Sequence, residues 1–336
     1  MACMVFDTHS YDRDAFMLAN VGHGHDLRFV EPRLTRDTAA MAAGCQAVCA
    51  FVNDRLDAGT IAALQQAGVT LIALRSAGFN HVDLRAAAAA GIRVVRVPEY
   101  SPHAVAEHAM ALLLALNRKI HRAHNRVREG SFSLEGLVGF DLFGKTCGIL
   151  GTGRIGSALA RILRGFGCRL LATDVSPNET LAGETGLRYV DLDTLFAESD
   201  IVSLHVPLTP GTRHIVDARA LARMKPGVFL VNTSRGALID TPALIASLKS
   251  GHLGAAALDV YEEEENVFFR DLSDVVLQDD VLARLMTFGN VLLTSHQGFL
   301  TREALANIAD TTLESLRACE QGLPLRHEVR PDPANA

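Results

Sequence analysis

KTCGILGTGRIGSALARILRGFGCRLLATD, residues 145–174, decides the fold of this chain. Residues 146–150 are a short apolar run suited to a buried strand. Gly151, Gly153 and Gly156 follow with G-x-G-x-x-G spacing. Ile155, Leu159, Ile162, Leu163 and Phe166 then recur at helical intervals, and Gly165 and Gly167 mark the helix end. A second apolar run, 168–173, closes on Asp174. The pattern predicts a strand, a tight turn and a helix whose N-terminus, at Arg154 and Ile155, faces a pyrophosphate. Gly151 permits the turn, Gly153 lets the backbone approach the phosphates, and Gly156 allows close helix–strand packing. Asp174 stands where a carboxylate accepts bonds from both ribose hydroxyls. Its charge repels a 2′-phosphate, and Val175-Ser176-Pro177-Asn178 supplies no arginine to hold one, so the expected cofactor is NAD rather than NADP.

The chain has 336 residues, enough for two domains that each bury a core. Its 49% hydrophobic and 21% charged content is that of an ordinary globular protein. A net charge of −6 gives no reason to expect nucleic acid or an anionic membrane as partner. The first residues, MACMVFDTHS, lack the basic and long apolar regions of a signal peptide. The most apolar segment, 104–116, carries Glu107 and His108 and is too short to span a bilayer. Six cysteines, at 3, 45, 49, 147, 168 and 319, show no metal-type spacing and several sit in apolar runs. Packed, reduced thiols in a cytoplasmic protein are expected, with no metal and a frayed tail at 331–336.

Upstream, 4–7, 27–30, 47–52, 71–74 and 93–97 read as strands, with helical stretches at 61–67 and 84–90 stopped by Gly68 and Gly91. This alternation implies a parallel, doubly wound sheet without a phosphate loop. Ligands of such sheets sit beyond the carboxyl ends of the strands. Phe51-Val52-Asn53, Arg75-Ser76-Ala77-Gly78 and Pro98-Glu99-Tyr100 lie there; Ser76-Ala77-Gly78 either presents N–H donors to a carboxylate or is an ordinary strand-to-helix turn. Ser101-Pro102 then opens a long helix through Val127, with serine as N-cap. Its first half is more apolar than one core-facing stripe needs, which suits a subunit interface, and His121 and His124 read as a solvated basic face rather than a metal pair. Past the glycine turn, strands at 201–205, 228–232, 255–259 and 291–294 bring Asp174, His205, Thr233-Ser234-Arg235, Asp259 and Ser295-His296 to one sheet edge. Thr241-Pro242 starts a helix that Gly251 stops. A last helix, 299–321, led by Thr301, has no sheet of its own left to continue and is expected to return to the first unit. The expected architecture is α/β: two doubly wound parallel-sheet domains, Rossmann-like and flavodoxin-like, with a cleft between them. The first is discontinuous, 1–100 and 299–336, and binds substrate; the second, 101–298, binds NAD.

Reducing a 2-oxo acid needs a bidentate cation for the carboxylate and a proton donor for the carbonyl. Arg235, in VNTSRGALID, supplies a fork; His296 is a candidate donor. The acidic run 262–265 is either a solvated loop or the source of a carboxylate that favours the imidazolium.

LRSAGFNHVDL (74–84), VPEYSPHAVAEHA (97–109), GTGRIG (151–156), HVPLTP (205–210), VNTSRGALID (231–240), DVYEEE (259–264) and SHQGFLT (295–301) together resemble the D-isomer-specific 2-hydroxyacid dehydrogenase family, over essentially residues 4–330. The resemblance implies an NAD-dependent oxidoreductase with Arg235, Glu264 and His296 as the catalytic three, although Glu263 and Glu265 flank Glu264 and compete for His296. It places Ser76, Ala77 and Gly78 on the substrate carboxylate, and Phe51, Tyr100 and Phe299 around the substrate's small end. It also implies cofactor contacts from His205, Val206, Pro207, Thr212, Thr233, Ser234, Arg235, Asp259, His296 and Gly298. The implied substrate is a small 2-oxo or 2-hydroxy acid, the pyruvate/D-lactate couple first, in a homo-oligomer, dimer or tetramer. Glyoxylate, hydroxypyruvate or a bulkier acid uses the same three residues, and an NAD-sensing corepressor uses the same fold without turnover.

Overall fold

The computed structural model describes residues 1–331, so the tail expected to fray lies, from 332 on, outside the described residues. The chain forms two compact units: unit 1 is Met1–Ser101 together with the chain from Phe299 on, and unit 2 is Pro102–Gly298. Unit 1 carries β1 (Ala2–Val5), β2 (Asp26–Phe29), β3 (Ala47–Ala50), β4 (Leu71–Leu74) and β5 (Arg93–Arg96), in the order β2-β1-β3-β4-β5. Unit 2 carries β6 (Thr146–Leu150), β7 (Arg169–Thr173), β8 (Arg188–Tyr189), β9 (Ile201–Leu204), β10 (Val228–Asn232), β11 (Leu253–Leu258) and β12 (Val291–Leu293), in the order β12-β11-β10-β9-β6-β7-β8. The ladders of both sheets run parallel. A parallel sheet covered on both faces selects unbroken apolar runs, which is why β3, β4, β6 and β9 are buried at every residue.

Alternate residues of these strands feed opposite cores. In unit 1, Val48, Ala50, Ile72 and Leu74 pack on one face of the sheet. Cys3, Val5, Ala47, Cys49, Leu71 and Ala73 pack on the other, with Ala309, Leu313 and Leu316 of the helix Arg302–Glu320. That helix starts where Thr301 Oγ1 accepts from the Ala304 N–H, later than the expected 299. Each fully buried leucine on it contributes about 2 kcal/mol. In unit 2, Cys147, Ile149 and Val231 face one core while Leu150, Val202 and Leu230 face the other.

Several elements differ from the sequence expectation, each for a tertiary reason. The first strand is Ala2–Val5 rather than 4–7: Asp7 has φ 47° and leaves the ladder, while the Met1 carbonyl accepts from Asp26 N–H at its other end. The long helix is two, Pro102–Asn117 and Ile120–Arg128. Asn117 bonds both backbone groups of Phe140, at 2.7 and 2.9 Å, and Lys119 stands at φ 52° with its ammonium on the carbonyls of Gly136 and Val138. The apolar surplus of the first half is taken up inside the unit, where Ala106, Ala109, Met110, Leu112, Leu113 and Leu116 join one core. The two-residue β8 has no pattern long enough to be seen in sequence.

Candidate functional site

In unit 2 the strand order reverses between β6 and β9, and a ligand crevice opens at the carboxyl ends on either side of such a switch. Gly151 follows β6 at φ 93°, and a Cβ there would lie 2.8 Å from the His205 carbonyl group that follows β9. At Gly156 a Cβ would meet the Gly151 carbonyl oxygen at 2.0 Å. Both positions therefore require glycine, and the turn runs directly into the helix Arg154–Gly165. Asp174, past the end of β7, accepts from Thr152 N at 2.5 Å, Thr152 Oγ1 at 3.1 Å and Ser176 N at 2.8 Å. Partial burial opposes its charge, but these donors prevail and hold the carboxyl below its usual range. Tyr189 of β8, which sequence reading missed for lack of any motif, ties this end together: its hydroxyl meets Thr152 Oγ1 and accepts from Asn178 N, both at 2.8 Å.

Along the same edge, His205 Nε2 meets Ser203 Oγ at 2.8 Å, and burial pushes the imidazole down to about 4, so the ring is neutral. Thr212 Oγ1 donates to the Pro207 carbonyl at 2.6 Å and Ser234 Oγ to that of Val206 at 2.7 Å, which folds the segment after β9 against the end of β10. The Thr233 hydroxyl is buried with no hydrogen-bond partner. A glycine turn on a helix N-terminus, an anionic acid at the next strand end and this orphaned hydroxyl fit a dinucleotide, with Asp174 at its ribose.

Arg235 follows β10, half-buried, with Nη1 donating to the Ser234 carbonyl at 2.7 Å. Asn232 shapes its turn, giving Nδ2 to the Arg235 carbonyl and taking Ser234 N–H on Oδ1. At Gly236 a Cβ would lie 2.0 Å from the Tyr261 carbonyl carbon, so this turn presses on the backbone of the acidic loop. Within that loop the glutamates separate. Glu262 takes Arg213 at 2.9 Å and His214 at 2.7 Å, and Glu263 and Glu265 are exposed. Glu264 Oε1 meets His296 Nδ1 at 2.7 Å, while Oε2 accepts from Tyr261 N at 3.1 Å. A ring pinned at Nδ1 leaves Nε2 as its reactive nitrogen.

Asp259, at the end of β11, is almost wholly buried and gathers the turn around His296. Its Oδ1 accepts from Thr294 Oγ1 at 2.6 Å and Gln297 N at 2.9 Å, its Oδ2 from Gly298 N at 2.8 Å, and its carbonyl from His296 N at 2.7 Å. His108 Nε2 joins at 3.1 Å from the helix Pro102–Asn117. Sequence reading gave His108 no role, although a histidine on the stripe of Val105, Ala109 and Leu112, all buried, signals a polar partner.

In unit 1, Phe51, Tyr100 and Phe299 form one aromatic group, with ring centroids 5.7 Å (Phe51–Phe299) and 6.4 Å (Tyr100–Phe299) apart. Arg75, which opens the expected strand-end stretch, stacks its guanidinium 4.6 Å from the Phe51 ring and donates to the carbonyls of Phe6 and Asp7. Ser76 Oγ donates to the Gly78 carbonyl at 2.8 Å, and Arg96 to that of Ala77 at 2.7 Å, so side chains fix this turn through its carbonyls. Among the described residues no cluster of ligating side chains could hold a metal, and no helix is long and apolar enough to cross a membrane.

Residues 110–298 match the model of the D-isomer specific 2-hydroxyacid dehydrogenase NAD binding domain. The chain is 52% identical over 329 residues to the D-lactate dehydrogenase of Escherichia coli K12, covering 98% of this chain and 100% of that one. The apo structure of the Escherichia coli enzyme superposes with a TM-score of 0.90 at 50% identity, covering 98% of this chain and 100% of that one. The D-lactate dehydrogenase with NAD+ from Lactobacillus jensenii superposes with a TM-score of 0.83 at 31% identity, over 98% and 100% of the two chains.

Proposed function

The chain belongs to the D-isomer specific 2-hydroxyacid dehydrogenase family, and on that premise we propose that it is an NAD-dependent D-lactate dehydrogenase, interconverting pyruvate and D-lactate. The observation that carries the catalytic assignment is the His296–Glu264 pair at 2.7 Å, on the same sheet edge as the dinucleotide turn. NADH, when bound, supplies the hydride for the keto carbon. His296 supplies the proton: its imidazolium gives the Nε2 proton to the carbonyl oxygen and is left neutral, so pyruvate, NADH and one proton become D-lactate and NAD+. Glu264 holds the ring by Nδ1, which leaves Nε2 facing the substrate. Arg235 clamps the substrate carboxylate through its planar fork and polarises the carbonyl. In unit 1, the N–H groups of Ala77 and Gly78, beside Ser76, bind the carboxylate, and Phe51, Tyr100 and Phe299 surround the methyl group. Asp174 selects NAD over NADP by charge. The nicotinamide end is assigned to His205–Pro207, Thr212, Thr233–Arg235, Asp259 and Gly298.

The same reading includes a homo-oligomer in the cytoplasm. The first is supported by exposed apolar side chains between the helix break and β6, among them Ile120, Val127, Phe132, Leu134, Val138 and Phe143. The second is supported by six free thiols, five of them buried.

The test is NADH consumption with pyruvate, glyoxylate, hydroxypyruvate and phenylpyruvate, the product being identified with enantiomer-specific lactate assays. Pyruvate is expected to be preferred and D-lactate to be formed. Reduction uses the imidazolium and oxidation the neutral ring, so raising the pH should slow the first and favour the second. Parallel pH profiles would remove His296 from its role. NADH binding without turnover of any acid would make the protein a dinucleotide-binding module instead.

A further inference from the structure

We propose that His108 is a positioning residue: acting through Asp259, it fixes the turn that presents His296. The proposal rests on the acid–base role given to His296 above. His296 lies in a five-residue stretch, Thr294 to Gly298, whose backbone does not hold itself. Its own φ is 54°, a left-handed conformation that a non-glycine residue keeps only when its surroundings impose it. The imposing group is the Asp259 carboxylate, which takes Thr294 Oγ1, Gln297 N and Gly298 N from three of the four residues around His296. His108 Nε2 meets the same Oδ1 as Thr294 Oγ1 and Gln297 N, at 3.1 Å, and also lies 3.2 Å from Thr294 Oγ1.

The acceptor is a buried anion, so Nε2 carries the proton, and the histidine answers a charge that solvent cannot reach. Burial works against that charge, but the bonds from His108 and Thr294 outweigh it and hold the Asp259 carboxyl below its usual range. The fit is close. A Cβ on Gly298 would lie 3.0 Å from Asp259 Oδ2 and 3.5 Å from His108 Cδ2. Asp259 is the charged group facing His108, Glu107 next to it being exposed; His296 acts on Asp259 from beyond, and Glu264 holds the far side of that ring. The His296 ring is thus located from two directions, by Glu264 at its Nδ1 and by Asp259 through its backbone. His108 keeps the second in place without touching a reacting atom.

The experiment compares His108→Leu, which deletes the donor, with His108→Gln, which restores an N–H near the Nε2 position. Steady-state kinetics with pyruvate are run alongside thermal unfolding and NMR titration of the imidazoles. His108→Leu should lower kcat about 10- to 100-fold with little change in KM, the signature of misplaced reacting groups rather than lost binding. The His296 resonances should shift in both position and titration midpoint, and His108→Gln should recover most of both. A His108→Leu enzyme that melts earlier but turns over within twofold of wild type while folded would overturn the proposal, as would a His108→Gln enzyme no better than His108→Leu. If His108→Leu does not fold, Thr294→Val, which removes another Asp259 donor, should move the same two readouts, and unmoved readouts overturn the proposal. Wild-type protein that fails to reduce pyruvate would instead remove the acid–base premise, while the NMR comparison still reads whether His108 locates the His296 ring.

Discussion

Asp174, after β7, and His205, after β9, flank the turn that follows β6, and both are held deprotonated there, one as an anion and the other as a neutral ring. Asp174 collects donors that keep it anionic; His205 is half-buried and desolvation keeps its ring neutral, its imidazole pushed down to about 4. In an unfolded chain a histidine titrates near 6.5. As the pH falls from about 6.5 to about 4, the unfolded chain therefore takes up a proton that the folded protein refuses. The stabilisation His205 provides is complete above that window and lost through it, on the order of 3 kcal/mol in all. Denaturant unfolding at neutral and acid pH should show His205→Gln losing less stability on acidification than wild type. Equal losses in the two proteins would mean that the ring charges in the folded state.

Between residues and fold, close backbone approaches set the catalytic geometry. The turn after β10 and the loop after β11 touch at Gly236, where a Cβ would overlap the Tyr261–Glu262 peptide at 2.0 to 2.3 Å. Backbone on both sides leaves nothing flexible to give way. Gly236→Ala should therefore cost at least about 1–3 kcal/mol and displace Arg235 from the loop that bears Glu264. A lowered melting temperature with a disproportionate fall in kcat/KM would be read from melting curves and pyruvate kinetics; an unchanged kcat/KM would show that the two segments move together. Such approaches are where sequence reading stops. The strands were legible because two-sided burial demands apolar runs, and the glycine turn because its spacing is geometric. Arg235, Asp174 and His296 stood out as polar groups at strand ends. The family resemblance, rather than the pattern itself, names Glu264 as the partner of His296, since the pattern leaves Glu263 and Glu265 as rivals; the fold of the 262–265 loop turns Glu262 toward His214 and Glu264 toward His296. The helix break at Asn117 was equally hidden, because its partner Phe140 lies 23 residues away.

For the whole molecule, Ala106, Ala109, Met110, Leu112, Leu113 and Leu116 of the apolar helix Pro102–Asn117 join the protein's own core, and one group of exposed apolar side chains falls in the following segment. Phe132 and Leu134 stand in water there without a core to join. A second copy of the chain, pairing the same surface with itself, is the occupant that closed symmetry favours. Light scattering should give an oligomer for the wild type and a smaller species for the double variant Phe132→Glu, Leu134→Glu. Equal masses for both would place the contact elsewhere.

The interrupted course of unit 1 bears on how the protein is made. On the ribosome, residues 1–101 emerge long before the helix Arg302–Glu320 that covers Cys3, Val5, Ala47 and Cys49 on one face of their sheet. All of unit 2 is synthesised in between, and its core needs nothing made later than Gly298. The half that starts first is therefore the half that finishes last, and until it does, that sheet face has only the early helix Ser10–Asn20, through Phe16, to cover it, and the rest stays open to chaperones and to aggregation alike.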